Sequence, residues 1–245
     1  MNKYFILFVI IFNISFCVNA QITYFEAGLG IKYDKFNIDQ PENVFKRNLD
    51  LGASAYISYS RPFNNDRVFW EAGLATNNYK LNFKVTSPEG EIFSSRELVS
   101  VMRSNRIFAN ITHKTRSLTK KLTWVNSAGI SLLIGAKNPY DVILQRSKEI
   151  ETSSGPQSIY VNIKTYGKTG SGILIGAGTR LYYQLTNVFN ITLNASFITG
   201  LSELTKVDVN YVLNSSLNYK KAVFSSNGFA PMLTFGVQYV INKDK

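Results

Sequence analysis

The feature that most constrains this chain is a strict alternation of apolar and polar residues over residues 189–197. Odd positions carry Phe, Ile, Leu, Ala and Phe, and even positions carry Asn, Thr, Asn and Ser. Because successive side chains of a strand point to opposite faces, the segment predicts a strand with one apolar and one small polar face. An apolar face toward lipid and a polar face toward the interior is typical of a closed membrane barrel.

The same alternation recurs in seven other segments of the chain. They begin near Phe25, Leu49, Trp70, Arg106, Leu122, Ile173 and Leu233. Glycine, serine and a few charged residues occupy the faces opposite the apolar ones. We therefore expect an all-β, eight-stranded antiparallel up-and-down transmembrane β-barrel. The fourth strand is the least regular, because its alternation fades upstream of Asn105.

The connections between these segments alternate short and long. Short, turn-forming stretches lie at 61–66, 114–121 and 184–188, whereas long connections include a turn at Pro88-Glu89-Gly90 and the segment Lys137–Ser171. Such alternation is expected when tight turns lie on one side of a membrane and extended loops on the other.

Two long connections contain alternating pieces of their own, Ile159–Thr165 and Val207–Val212. We expect them to extend the barrel wall beyond the membrane as protruding hairpins. An exposed edge there could take up a strand from a partner by β-augmentation. The alternative is that these loops only shield the barrel.

Aromatic residues occupy the outward position nearest the short turns on seven of the eight strands. They are Phe25, Tyr59, Trp70, Trp124, Tyr183, Phe189 and Tyr239, and the fourth strand carries His113 at that level. Amphipathic rings prefer the boundary between lipid and water, so these residues predict an aromatic belt at one membrane interface.

Few charged residues face inward, and the clearest are Glu26, Glu71, Arg106 and Arg180. An eight-stranded barrel leaves an interior just wide enough for side chains. Buried charges need partners, so we expect a polar cluster in the lumen that forms a salt-bridged plug. A gated ion path that uses the same residues is the alternative.

The N-terminus has the layout of a secretory signal peptide. Met1-Asn2-Lys3 precedes the apolar run from Tyr4 to Val18, and Ala20 stands at the expected cleavage position. We expect residues 1–20 to be removed and residues 21–245 to form the barrel domain; the alternative is an uncleaved anchor helix. Cleavage would remove Cys17, the single cysteine, and would exclude disulfides and thiolate chemistry.

The composition argues against several functional classes. The formal charge of +11 is spread over turns, loops and polar strand faces, so we expect attraction to anionic lipid headgroups or surface polysaccharide, or plain solvation, and no nucleic acid. The single histidine, His113, faces outward. We therefore expect no catalytic, cofactor-binding or metal-binding residues and no enzymatic activity.

The eight alternating segments, the signal peptide and the final Leu233–Tyr239 resemble the small eight-stranded outer-membrane β-barrels of Gram-negative bacteria, of the OmpA-transmembrane-domain and OmpX type. The resemblance implies an outer-membrane, monomeric protein with short periplasmic turns and long extracellular loops. It implies the lipid bilayer as a partner, and a structural or surface-interaction role through the loops. Two alternatives remain: a narrow pore or accessory barrel of a transport or secretion system, and a soluble lipocalin-like carrier whose apolar faces line a pocket.

Overall fold

The computed structural model describes residues 22–41, 43–47, 51–63, 67–86, 92–135, 140–152, 155–213 and 220–242. No helix in these ranges is long and apolar enough to cross a membrane. The expected signal peptide, residues 1–20, and the turn expected at Pro88-Glu89-Gly90 lie outside the described residues.

The described chain forms fourteen strands, and eight of them close into a barrel. The barrel strands are β1 (Ile22–Tyr33), β4 (Leu51–Pro62), β5 (Val68–Thr86), β6 (Ile92–Ser117), β7 (Leu122–Ile134), β10 (Gly172–Gln184), β11 (Phe189–Gly200) and β14 (Ala230–Asn242). The other strands are β2 (Asn37–Asp39), β3 (Phe45–Arg47), β8 (Tyr140–Thr152), β9 (Gly155–Thr169), β12 (Thr205–Leu213) and β13 (Lys220–Ser226).

Each barrel strand pairs antiparallel with its two neighbours. Pairing runs in chain order from β1 through β4, β5, β6, β7, β10, β11 and β14, and β14 pairs back onto β1. The predicted eight-stranded antiparallel barrel is confirmed. Short connections join β4 to β5, β6 to β7 and β10 to β11 at one end, which we call the short-turn end; the opposite end is the far end.

The two faces of the barrel wall differ sharply in exposure. Outward-facing Leu29 and Phe235 are 70% and 56% exposed, whereas inward-facing Glu26 and Thr192 are 2% and 0% exposed. All eight strands contribute large apolar residues to the outer face. This face, the apolar girdle, includes Leu29, Ile57, Leu74, Ile111, Ile130, Ile175, Leu193 and Phe235, each at least 43% exposed. The sidedness inferred from the alternation therefore agrees with the structure.

The hairpin of β5 and β6 rises well above its neighbours. β6 begins at Ile92, so the strand continues upstream of Asn105, where the apolar–polar alternation of the sequence fades. On the paired strand β5, Leu81 and Phe83 are buried on the face that points inward in the barrel, so apolar residues lie on the inner face of this hairpin beyond the barrel. Register shifts also interrupt the β5–β6 ladder between Leu81 and Asn82 and on either side of Val85.

A second, five-stranded sheet lies at the far end, in the order β2-β13-β12-β9-β8. β9 and β12, which contain the two alternating pieces expected to extend the barrel wall, instead pair with each other in this separate sheet. Val207, Val209 and Phe224 on its inner face are fully buried, so burial of an apolar face accounts for the separate sheet. We call β2, β3, β8, β9, β12, β13 and the protruding part of β5–β6 the cap.

The cap packs against the far end of the barrel. A single apolar cluster joins its residues to inward-facing residues at the ends of the barrel strands. This cap core comprises Phe36, Val44, Phe45, Leu81, Phe83, Val85, Leu133, Leu174, Ile198, Leu204, Val207, Val209, Tyr211, Ala222, Phe224, Ala230 and Met232. Packed aliphatic and aromatic side chains thus cover the far end of the lumen.

Candidate functional site

Two barrel strands carry the same pattern of an aromatic residue, glutamate, alanine and glycine. It spans Phe25–Gly28 on β1 and Trp70–Gly73 on β5. Because side chains alternate along a strand, the acid and the glycine of each pattern face the lumen. β1 and β5 both flank β4, so Glu26 and Glu71 enter the lumen from nearby strands.

Arg180 on β10 reaches both carboxylates from the other side of the lumen. Its Nη1 atom donates to Glu26 Oε2 at 2.9 Å. Its Nη1 and Nη2 atoms each donate to Glu71 Oε1 at 3.2 Å, and Nη2 also donates to Glu71 Oε2 at 3.3 Å. Asn110 on β6 donates to Glu71 Oε2 at 3.1 Å. One guanidinium therefore bridges two acids that are distant in sequence.

Hydroxyl groups complete the coordination of Glu26. Tyr56 and Thr192 both donate to Glu26 Oε1, the latter at 2.9 Å. Tyr182 accepts a hydrogen bond from Arg180 Nη1 at 2.8 Å and donates to Glu26 Oε2 at 3.4 Å. We call Glu26, Tyr56, Glu71, Asn110, Arg180, Tyr182 and Thr192 the lumen network.

The glycines of the two patterns make room for aromatic rings of the lumen. Gly28 is in register with Tyr56, and Gly73 is in register with Phe108. A Cβ atom on Gly28 would lie 2.7 Å from Tyr56 Cζ, and one on Gly73 would lie 2.9 Å from Phe108 Cε1. Each glycine therefore lets the ring on the adjacent strand lie flat across the wall.

The charged groups of the network are almost completely shielded from water. The side chains of Arg180, Glu26 and Glu71 are 6%, 2% and 1% exposed. Removing one partner of a buried ion pair costs about 3–5 kcal/mol, because an uncompensated charge is left behind. The network therefore links opposite sides of the barrel wall across the lumen, and separating its charged groups would be energetically costly.

Arg106 lies in the lumen nearer the far end, four residues along β6 from Asn110. Its guanidinium carbon is 5.5 Å from the centroid of the Phe108 ring. A second buried ion pair, which sequence reasoning missed as a site, joins Lys32 Nζ to Asp34 Oδ1 at 2.7 Å with both side chains 0% exposed. The inward position of Lys32 in the alternation was the available signal.

Two cavities flank the lumen network. The cavity toward the far end has a volume of about 60 Å³, and its lining includes Arg106, Arg180 and Asn194. The cavity toward the short-turn end has a volume of about 120 Å³, and its lining includes Lys114 and Tyr182. The network therefore separates two small spaces along the barrel axis.

The residues expected to form the aromatic belt lie on the outer surface near the short turns. Tyr59, Phe25, Tyr239 and Phe189 are in register across four neighbouring strands. The Trp70 ring packs against Tyr59 at a centroid distance of 5.4 Å. The other members are Trp124 on β7, Tyr183 on β10 and the exposed His113 on β6.

Fold and lumen together define an eight-stranded antiparallel β-barrel with an apolar outer surface and a polar interior that is crossed by buried ion pairs. The sequence matches no protein-family model and no curated protein sequence.

Among solved structures, the chain is similar to Neisserial surface protein A, with 10% identity, a TM-score of 0.47, and coverage of 89% of this chain and 96% of that one. It is similar to the N-terminal β-barrel domain of Pseudomonas aeruginosa OprF, with 11% identity, a TM-score of 0.43, and coverage of 91% and 100%. It is also similar to the outer-membrane protease OmpT from Escherichia coli, with 9% identity, a TM-score of 0.41, and coverage of 91% and 98%.

Proposed function

We propose that this protein is a monomeric, non-enzymatic barrel of the bacterial outer membrane that displays the cap at the cell surface as an interaction module. The main support for this proposal is the apolar girdle, to which all eight strands contribute. Monomeric soluble proteins rarely expose contiguous apolar patches of more than a few hundred Å². A lipid bilayer would cover this surface, and the aromatic belt would lie at its periplasmic interface.

The alternative of a soluble lipocalin-like carrier does not fit the geometry. Such a carrier needs apolar side chains around an internal pocket. Here the interior below the cap core holds Glu26, Glu71 and Arg180, while Leu193 and Phe235 are 45% and 56% exposed on the outside. An apolar ligand would gain little by entering this lumen.

The surface-interaction role rests on the architecture of the cap. Its strands share an apolar core with the barrel, so the cap is a folded unit and offers a defined surface to a partner. Lys206 and Asn210 on β12 and Lys221 on β13 are exposed on the outer face of its sheet. A module of this kind serves for contact with other molecules at the cell surface.

A narrow pore is the second candidate, because a cavity lies on each side of the lumen network. Conduction would require Arg180 to leave at least one acid and would require a passage through the cap core. Planar-bilayer recordings test this: long closed times with rare small openings favour a gated path, and a silent barrel supports the plug.

Cysteine labelling tests location and orientation together, because the chain has one cysteine, Cys17, within the expected signal peptide. Cysteine is placed at Lys206 in the cap, at Lys120 in a short turn, or at Leu193 in the girdle. In intact cells, a membrane-impermeant maleimide should label only Lys206→Cys. Lys120→Cys should react after the outer membrane is permeabilised, and Leu193→Cys should not react with an aqueous reagent. Labelling of Leu193→Cys in intact cells would contradict the membrane assignment.

Photo-crosslinking tests the interaction role. A crosslinking amino acid at Asn210 or Lys206 should give a discrete adduct on growing cells. The same group at Leu193 should label lipid alone and serves as the control. Absence of a discrete adduct from both cap positions would argue that the cap only shields the barrel.

A further inference from the structure

We propose that the opening of the barrel at the short-turn end, which we call the mouth, binds an acidic polypeptide that has a free terminal carboxylate. The orientation proposed above makes this partner periplasmic. The binding chemistry itself depends only on residues of the mouth, and it can be tested without a membrane.

The first observation is the sign of the charge at this end. Six cationic residues lie in or beside the short turns: Arg61, Arg67, Lys114, Arg116, Lys120 and Lys121. Connections 63–67, 118–121 and 185–188 contain one acid in the sequence, Asp66, which lies outside the described residues. The far end, by contrast, mixes both signs, as in the pair of Lys221 Nζ and Asp208 Oδ2 at 3.0 Å. A surface that is mainly cationic attracts anionic partners.

The second observation is the cavity of about 120 Å³ in the centre of this mouth. Among the described residues, Lys114 is the one charged side chain in the lining of this cavity, which also includes Thr112, Thr123, Asn190 and Gln238. The Lys114 ammonium, the Thr123 hydroxyl and the Gln238 amide nitrogen supply donors that a carboxylate accepts. Asn190 Nδ2 already donates one hydrogen bond to Gln238 Oε1 at 2.8 Å, and the Thr112 hydroxyl donates to the Phe69 carbonyl oxygen at 3.4 Å. Glu26 and Glu71 do not line this cavity; Tyr182 lines it and donates a hydrogen bond to Glu26 on its other side.

The position of the cavity favours a flexible acidic chain over lipid headgroups as the anionic partner. Lipid headgroups would surround the outer wall of the barrel, beside Arg61 and the aromatic belt. The cavity instead lies inside the barrel, because inward-facing side chains at the short-turn end line it. A flexible acidic chain could place its terminal carboxylate beside Lys114, while its other acids lie near the cations of the turns.

Binding of a labelled peptide to the full barrel in neutral detergent tests the proposal. The probe is a fluorescein-labelled acidic hexapeptide, used with a free C-terminus or an amidated one. We expect the free form to bind about tenfold more tightly, and Lys114→Gln to abolish this difference, as loss of a charge-assisted hydrogen bond would. Lys221→Gln in the cap is the matched control and should leave both affinities unchanged.

Two further measurements keep the result decisive. Heat-dependent gel mobility reports whether Lys114→Gln still forms the barrel, and Arg67→Gln removes a cation of the mouth that does not line the cavity. Arg67→Gln should weaken both peptides equally, and the binding should fall as salt rises. Equal binding of free and amidated peptides to the unchanged protein would overturn the proposal, as would equal losses in Lys114→Gln and Lys221→Gln. Neither outcome would affect the assignment of the girdle to the membrane.

Discussion

The ring of Tyr56 lies in the space that a Cβ atom on Gly28 would occupy, with Tyr56 Cζ 2.7 Å from that position. The two residues are in register on β4 and β1. From there the Tyr56 hydroxyl donates to Glu26, two residues before the glycine. The missing side chain of Gly28 is therefore part of the geometry that closes the lumen.

Gly28→Val should displace the Tyr56 ring and break its hydrogen bond to Glu26. We expect the free energy of unfolding to fall by about 1–3 kcal/mol, the usual cost of overpacking. Urea-induced unfolding of the barrel in lipid vesicles measures this change. Ala27→Val, on the outward face of the same strand, is the control and should be close to neutral; an equal loss in both variants would contradict the account.

Arg180→Met should leave Glu26 and Glu71 buried without their shared cation. The expected loss in unfolding free energy is about 3–5 kcal/mol. Adding Glu26→Gln and Glu71→Gln should recover most of that loss, because the uncompensated charges disappear. A triple variant as unstable as Arg180→Met alone would show that the network stabilises the barrel by something other than charge pairing.

Leu193→Arg should destabilise the barrel in lipid by about 2–4 kcal/mol, because it places a charge on the lipid-facing wall near mid-strand. Asn190→Arg, on the inward face of the same strand near the short-turn end, is a comparison that does not place charge in lipid. Unfolding in vesicles gives both values. If Leu193→Arg were neutral in vesicles, the girdle would not face lipid.

Phe224→Ala should loosen the cap while leaving the barrel closed. The Phe224 ring is fully buried and stacks on Phe83 at a centroid distance of 5.4 Å. Removing such a ring costs about 3–5 kcal/mol. We expect faster amide exchange in β12 and β13, with unchanged exchange in β1 and β14. Uniformly faster exchange in all four strands would mean that cap and barrel unfold as one unit.

The barrel was predictable from sequence because the side-chain period of a strand is two. On β11, Leu193 and Phe197 are 45% and 48% exposed, and the polar residues between them face the lumen. That pattern requires only local information, and it therefore located the eight strands and their sidedness.

Strands beyond the barrel were predicted, but the cap core was not, because its signal is a change, within one strand, of the face that carries the apolar residues. Ile198 follows Phe197 directly on β11 but is 3% exposed, and on β5 the outward Leu74 gives way to the inward Leu81. Apolar residues switch to the inner face where the apolar girdle ends and the cap core begins. A search for that switch would have found the far end of the girdle.

Which residues of the lumen network pair with each other could not be predicted from the local sequence pattern either. Parity placed Glu26, Glu71 and Arg180 inside, but the contacts join residues 154 and 109 positions apart. Their meeting depends on the relative stagger of β1, β5 and β10, which alternation does not specify.

Quenching of single tryptophans by brominated lipid tests the central claim, that the apolar stripe of each strand contacts acyl chains. Trp70 and Trp124 are first replaced by Phe, and one tryptophan is then placed in turn at each of positions 193–197 on β11. The account predicts strong quenching at 193, 195 and 197 and weak quenching at 194 and 196. Strong quenching at 194 and 196 with weak quenching at the odd positions would contradict it.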